Sequence, residues 1–288
     1  MKTVAIIGVG MMGGSLGLAL RKRRAPYRII GVGRNPAKLA RAKRLGACHE
    51  TTTDLERGVR DADIAVLCTA VSRILPFLSR VLPVLKPGAV ATDIGSVKSP
   101  ILDGAAGLSA GAQGRSFVGG HPLAGSEKTG VQNSSPDLYR GATVVLCPLK
   151  RDRAALREVE TMWKLCGART IELEPAVHDI LVAQTSHLPH VLSGAFVQMV
   201  RSLGKRDPNA KKLLAGSFRD FTRISDSDPR QWAEIASANH NFLAGAVMSY
   251  IDILKRTLRE TASADEAGSG WRSFFTRSKK ARRELLPL

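Results

Sequence analysis

An α/β domain followed by an all-α domain is the architecture this 288-residue sequence predicts. Three observations carry that reading. Short β-branched runs alternate with helical stretches as far as residue 173 and then cease. A glycine cluster follows the first of those runs and opens the first helix. Beyond about Pro175 the apolar residues repeat with helical spacing alone. The expected division is 1–174 for the α/β domain, 175–261 for the helices, and a basic, poorly ordered tail over 262–288.

Thr3 to Ile7 is a buried strand by composition. It enters Gly8-Val-Gly10-Met11-Met12-Gly13-Gly14, and a helix follows to about Arg24. A second strand, Arg28 to Val32, comes next. A glycine triplet alone is weak evidence. Between a strand and a helix, with another strand behind it, it matches the Rossmann-like dinucleotide fingerprint. Gly8 suits the tight turn, Gly10 lets a pyrophosphate approach the backbone, and Gly13 permits close helix–strand packing. The helix N-terminus then offers amide donors and partial positive charge. The expected cofactor contacts are Gly8, Gly10, Met11, Met12, Gly13, Arg34, Thr69 and Ser96. Where NAD-specific folds place an acid after the second strand, this chain has Gly33 and then Arg34. A guanidinium there pairs with a 2′-phosphate, so the reading leans to NADP, with NAD as the alternative.

The alternation continues through a helix at 38–45, a strand ending at Thr69, a proline-interrupted helix at 74–85 and a strand at 89–94. Asp93-Ile-Gly95-Ser96-Val-Lys98 then sits at the carboxyl edge of the expected sheet, where ligands of such folds bind. Ser96 reads either as a hydroxyl orienting a neighbour or as a helix N-cap. Phe117 to Gly120 is a further strand, and Gly119 and Gly120 are read as a turn presenting His121. Pro122 biases that histidine to extended backbone. Imidazole is the side chain suited to proton transfer near neutral pH, although a loop histidine bonded to its own turn is the blander reading. A strand at 143–147, a helix at 151–166 and a strand at 169–173 complete the domain.

Residues 177 to 203 read as one helix kinked at Pro189. At 100° per residue, Asp179, Ser186 and His190 fall within about 20° of one line, with His187 on the next ridge. Such a stripe on an apolar helix suggests a cavity lining. His187 and His190 could ligate metal, but no third ligand stands near, so substrate binding or an Asp–His hydrogen bond ranks above it and no metal is expected. Arg219 and Arg223, set among aromatics, suit carboxylate recognition, with ion pairs to Asp220 and Asp226 as the alternative. Asp228-Pro229 opens a helix carrying Trp232 and an apolar face to about Leu258, long enough to suggest homodimerisation.

The net charge of +18 invites a polyanion reading, yet much of it lies in two places. Ten Lys and Arg residues fall between 21 and 44 without an acid, and six more lie beyond Gly268 against Glu284. A site for small anions plus a solvated basic tail accounts for the same charge, so nucleic acid is ranked low. Four cysteines without CxxC spacing suggest a reduced, cytoplasmic protein. No apolar run approaches the roughly 20 residues of a membrane helix.

Five stretches resemble the prephenate/arogenate dehydrogenase family of tyrosine biosynthesis, in that family's order. They are Gly8 to Leu16, Gly95-Ser-Val-Lys98, Gly119-Gly-His-Pro-Leu-Ala-Gly-Ser-Glu127, Ser186-His-Leu-Pro-His190, and Phe218 to Ile224 with Trp232. The resemblance implies an oxidative decarboxylation with NAD or NADP. His121 would take the proton of the substrate's ring hydroxyl while hydride leaves the same carbon. Loss of the ring carboxylate as CO2 then makes the ring aromatic. Ser96 would orient that hydroxyl and His121, Arg223 would bind a substrate carboxylate, and His190, Arg219 and Trp232 would wall the pocket with His187, Glu127 and Asp179. Prephenate and arogenate are both open as substrates, and tyrosine is a candidate inhibitor. The competing readings are a β-hydroxyacid dehydrogenase and, from another class, a dinucleotide-sensing or nucleic-acid-binding protein.

Overall fold

The computed structural model describes residues 1–109, 114–126, 128–149, 152–262 and 268–286. In chain order the elements begin β1 (Lys2–Ile7), α1 (Met11–Lys22), β2 (Tyr27–Val32), α2 (Pro36–Arg44), β3 (Glu50–Thr52), α3 (Leu55–Val59), β4 (Ile64–Leu67) and α4 (Val71–Val81). They continue with β5 (Val90–Asp93), α5 (Ser99–Ser109), β6 (Ser116–Pro122), β7 (Thr143–Pro148), α6 (Arg153–Leu165) and β8 (Arg169–Glu172). Helices follow: α7 (Pro175–Val182), α8 (Leu188–Arg206), α9 (Gly216–Thr222), α10 (Pro229–Ala238), α11 (His240–Ala262) and α12 (Ser269–Leu285). An α/β sheet domain followed by helices is thus what the chain forms.

The eight strands make one sheet in the order β3-β2-β1-β4-β5-β6-β7-β8. Among the described residues only β6 and β7 pair antiparallel, with His121 opposite Val145. Strand order reverses between β1 and β4, and that reversal opens the ligand-binding crevice of doubly wound sheets. Alternation along β1 sends Val4 and Ile6 into one apolar layer, with Leu16 and Leu20 of α1 and Val159 and Trp163 of α6. Ala5 and Ile7 enter the other, with Ile74, Leu78 and Val81 of α4 and Ile101 and Leu102 of α5.

Several expectations need correction. Gly119 and Gly120 are strand residues of β6 rather than a turn, and the strand runs on through His121 to Pro122. What demands glycine there is close approach: a Cβ on Gly120 would lie 2.5 Å from the Asp93 carbonyl oxygen. The kink expected at Pro189 is a π-helical turn over Ala183–His187, one turn upstream. A proline ring clashes with the carbonyl four residues before it, and widening that turn relieves the clash. The short elements β3 and α3 carry too few residues for a periodic signal. Residues 269–285, read as a poorly ordered tail, form α12, where Trp271, Phe274 and Phe275 pack on one another.

The chain divides into two compact units, Met1–His240 and Asn241–Leu288. Every residue of the site described next lies in the first unit. Among the described residues no helix is long and apolar enough to cross a membrane.

Candidate active site

The glycine loop between β1 and α1 has the features the fingerprint requires. Gly8 has φ of +97°, and a Cβ there would lie 2.3 Å from the Cys68 carbonyl oxygen. A Cβ on Gly13 would lie 2.4 Å from the Gly8 carbonyl oxygen. Gly10 instead faces open space, with nothing within 4 Å of a Cβ position. Gly10 is also the N-cap of α1 and supplies no side-chain cap, and the first turn carries no acid. Its amides and partial positive charge are therefore left for an anion, so these residues fit a dinucleotide. Met11 and Met12 form the first turn, where Ser134 Oγ donates to the Met11 carbonyl (3.0 Å) and the buried Tyr139 hydroxyl to that of Met12 (2.8 Å). Thr69, just past β4, places its methyl 3.3 Å from the Gly8 Cβ position. Arg34 is exposed beyond the end of β2.

At the same carboxyl edge, a buried ion pair clamps the strand that carries His121. Lys98 Nζ donates to Asp93 Oδ2, and both side chains are fully buried. Nζ also donates to the Gly120 carbonyl (2.8 Å), while Asp93 Oδ1 accepts from the Gly120 amide (2.9 Å). Both backbone groups of the residue before His121 are thus held by one ion pair.

His121 itself is 8% exposed. Its Nδ1 lies 2.8 Å from Nε2 of the fully buried His178, and His178 Nδ1 lies 2.7 Å from Asp179 Oδ1. Burial holds the His121 imidazole well below the usual histidine range, with His178, Lys98 and His187 pushing the same way. It is therefore neutral at pH 7, as a general base must be.

Asp179 departs from its expected place in a pocket wall. Oδ1 also accepts from the Lys98 amide (2.7 Å) and Oδ2 from the Ser99 amide (2.8 Å), so both oxygens are engaged inside the protein. Burial alone would raise this carboxyl, but its hydrogen bonds from His178, Lys98 and Ser99 prevail and hold it low. Those bonds also correct the reading of Ser96 as an N-cap. Helix α5 starts at Ser99, and its leading amides are satisfied by Asp179 from across the fold. Ser96 is part-buried, two residues before Lys98, and its hydroxyl makes no hydrogen bond among the described residues.

His190 stacks on Trp232 with centroids 3.4 Å apart, and its Nδ1 donates to the Ser186 carbonyl (3.0 Å). Burial lowers its pKa, and the nearby Arg223 charge lowers it further. His187 is edge-on to the same indole and accepts at Nδ1 from Asn239 Nδ2 (3.1 Å). Burial takes its pKa down to about 4. Phe218 and Phe221 pack on Phe196 of α8, which leaves Arg219 and Arg223 on the exposed side of that segment. The Asp–His bond is made by His178, the residue preceding Asp179, while His187 and His190 engage Asn239 and the Ser186 carbonyl. Glu127 lies outside the described residues. No group of three or more His, Cys, Asp or Glu fit for a metal occurs among the described residues.

His178, Asn239 and the Asp93–Lys98 pair escaped the sequence reading. Buried histidines and lysines carry no periodic mark, and only the His178-Asp179 dipeptide hinted at a partnership.

The prephenate dehydrogenase nucleotide-binding domain model matches residues 16–172, and the dimerization domain model matches residues 174–269. This chain belongs to the prephenate dehydrogenase family. A prephenate dehydrogenase of Lactococcus lactis is 32% identical over 99% of this chain and 78% of its own length. The structure of prephenate dehydrogenase from A. aeolicus, in complex with hydroxyphenyl propionate and NAD+, superposes with a TM-score of 0.90 at 31% identity, covering 99% of each chain. Synechocystis arogenate dehydrogenase gives 0.83 at 28% identity, over 99% of this chain and 100% of its own. Membership in this family makes the protein an oxidoreductase that uses a nicotinamide dinucleotide.

Proposed function

We propose that the protein converts prephenate or arogenate to 4-hydroxyphenylpyruvate or tyrosine by oxidative decarboxylation, in tyrosine biosynthesis. One observation carries the reading: a neutral, buried His121, held through Nδ1, stands at the carboxyl edge of the sheet that also holds the glycine loop. The dinucleotide, bound on Gly8, Gly10, Met11, Met12, Gly13 and Thr69, supplies the hydride acceptor. His121 Nε2 takes the proton of the ring hydroxyl, so that the hydroxyl carbon becomes a carbonyl on its way to the aromatic product. Ser96, whose hydroxyl is uncommitted, orients that hydroxyl. Arg223 holds a carboxylate beside His190 and Trp232, with His187 and Arg219 at the margin. Arg34 favours a 2′-phosphate and hence NADP over NAD; the two cofactors' kcat/KM values decide between them. Tyrosine, which shares the product ring, is a candidate competitor for the same pocket. The division at 174/175 gives a dinucleotide domain and a helical domain that pairs two copies, in the cytoplasm.

His121→Asn should cut kcat by about 10²–10⁴ with dinucleotide affinity retained, the loss expected of a general base. Near-normal turnover would remove His121 from the role. Arg223→Ala should chiefly raise KM for the diacid; an unchanged KM would assign that arginine to structure.

A further inference from the structure

Resting on that reading, we infer that His178 and Asp179 are positioning residues for the base: together they hold His121 in the tautomer whose Nε2 lone pair is free for the substrate. The argument runs along one chain of hydrogen bonds. Asp179 is an ionised acceptor, so His178 Nδ1 carries the proton in their 2.7 Å contact. On this reading that is the only proton on the His178 ring, which leaves a lone pair at Nε2. His121 Nδ1, 2.8 Å away, donates its proton into that lone pair. A neutral imidazole has one N–H, so His121 Nε2 is left unprotonated.

The arrangement is over-determined. His178 is 0% exposed and Asp179 1% exposed, so both are shielded from bulk solvent. Asp179 cannot turn, because the Lys98 and Ser99 amides at the start of α5 fix both of its oxygens. Asn239 Nδ2 donates to the Asp179 carbonyl (2.9 Å) and secures α7 from the end of α10. When His121 accepts the substrate proton at Nε2, one positive charge arises. Its Nδ1–H keeps His178 Nε2 as acceptor, and the His178 Nδ1–H keeps the Asp179 carboxylate, so the alignment survives the transfer. His178 lowers the His121 pKa, as Lys98 and His187 do, so the pair fixes the tautomer and does not stabilise the cation. His178 and Asp179 therefore perform for His121 what an orienting carboxylate does for a triad histidine.

His178→Phe removes the acceptor while keeping an aromatic ring. Expected is a fall in kcat of about 10²-fold, the low end of what a general base supplies, with KM and dinucleotide Kd within about threefold. His178→Gln, whose amide oxygen can accept from His121 Nδ1, should recover at least tenfold over His178→Phe. Nitrogen-15 NMR of the histidine-labelled wild type at pH 7.5 should show His121 protonated at Nδ1 and bare at Nε2. In His178→Phe that single tautomer should give way to a mixture. The inference is overturned by any of three results: His178→Phe turning over within twofold of wild type, His178→Gln no better than His178→Phe, or wild-type His121 carrying its proton on Nε2. If His121→Asn were itself active, the proposed function would fail first. An inactive His121→Asn beside an active His178→Phe would sink the inference alone.

Discussion

Lys98→Met tests the clamp beneath the active site. Lys98 and Asp93 are both fully buried, and Lys98 Nζ makes two charge-assisted hydrogen bonds, to Asp93 Oδ2 and to the Gly120 carbonyl. Each such bond contributes about 1.5–3 kcal/mol. Removing one member of a buried pair strands the other and costs about 3–5 kcal/mol. The two routes agree, and at about 2–4 °C per kcal/mol they predict a fall in Tm of about 6–20 °C. Asp93 keeps the Gly95 and Gly120 amides as donors, so the folded state survives with a strained carboxylate. Lys98 also depresses the His121 pKa, so its loss should move the acid limb of kcat/KM to higher pH. Differential scanning calorimetry and a pH–rate profile read both effects. A stability within about 1 kcal/mol of wild type, or an acid limb that does not move, would refute the ion-pair argument.

Gly13→Ala should weaken dinucleotide binding by at least about tenfold, because the added Cβ would lie 2.4 Å from the Gly8 carbonyl oxygen and push the loop off α1. Fluorescence titration measures this, and unchanged affinity would mean that the loop yields freely. His187, buried with a pKa of about 4, takes up a proton in the unfolded chain near pH 6.5 but not in the folded one. Its contribution is present above about pH 6.5 and is lost as pH falls from there toward 4, up to about 3 kcal/mol. Urea melts of wild type and His187→Gln at pH 7.5 and 5 should show the wild type losing more stability on acidification; equal losses would contradict the burial account. Gly120→Ala should lower both stability and kcat, since its Cβ would meet the Asp93 carbonyl at 2.5 Å and displace the strand beneath His121. Retention of full activity would show that the strand can shift without cost.

Local chemistry in the chain was enough to locate the glycine loop and the order of the first domain. Gly8 is demanded by its own positive φ and Gly13 by the Gly8 carbonyl a few residues before it, and β-branched runs alternate with helices because each buries one face or both. The same holds for His121 as the residue of interest, since its glycines and proline adjoin it. What tertiary structure alone decided is how that histidine is held. The Asp93–Lys98 clamp, the His178–Asp179 pair and the Asn239 contacts join residues 22 to 81 positions apart, with two contacts between near neighbours. No periodicity in a sequence encodes such pairings, because a buried polar group looks the same as an exposed one until its partner is folded against it. The π turn before Pro189 shows the limit most plainly. A straight helix would have lined Asp179 up with His190, and the widened turn between them shifts that register; the carboxylate is engaged by the histidine beside it and by the Lys98 and Ser99 amides.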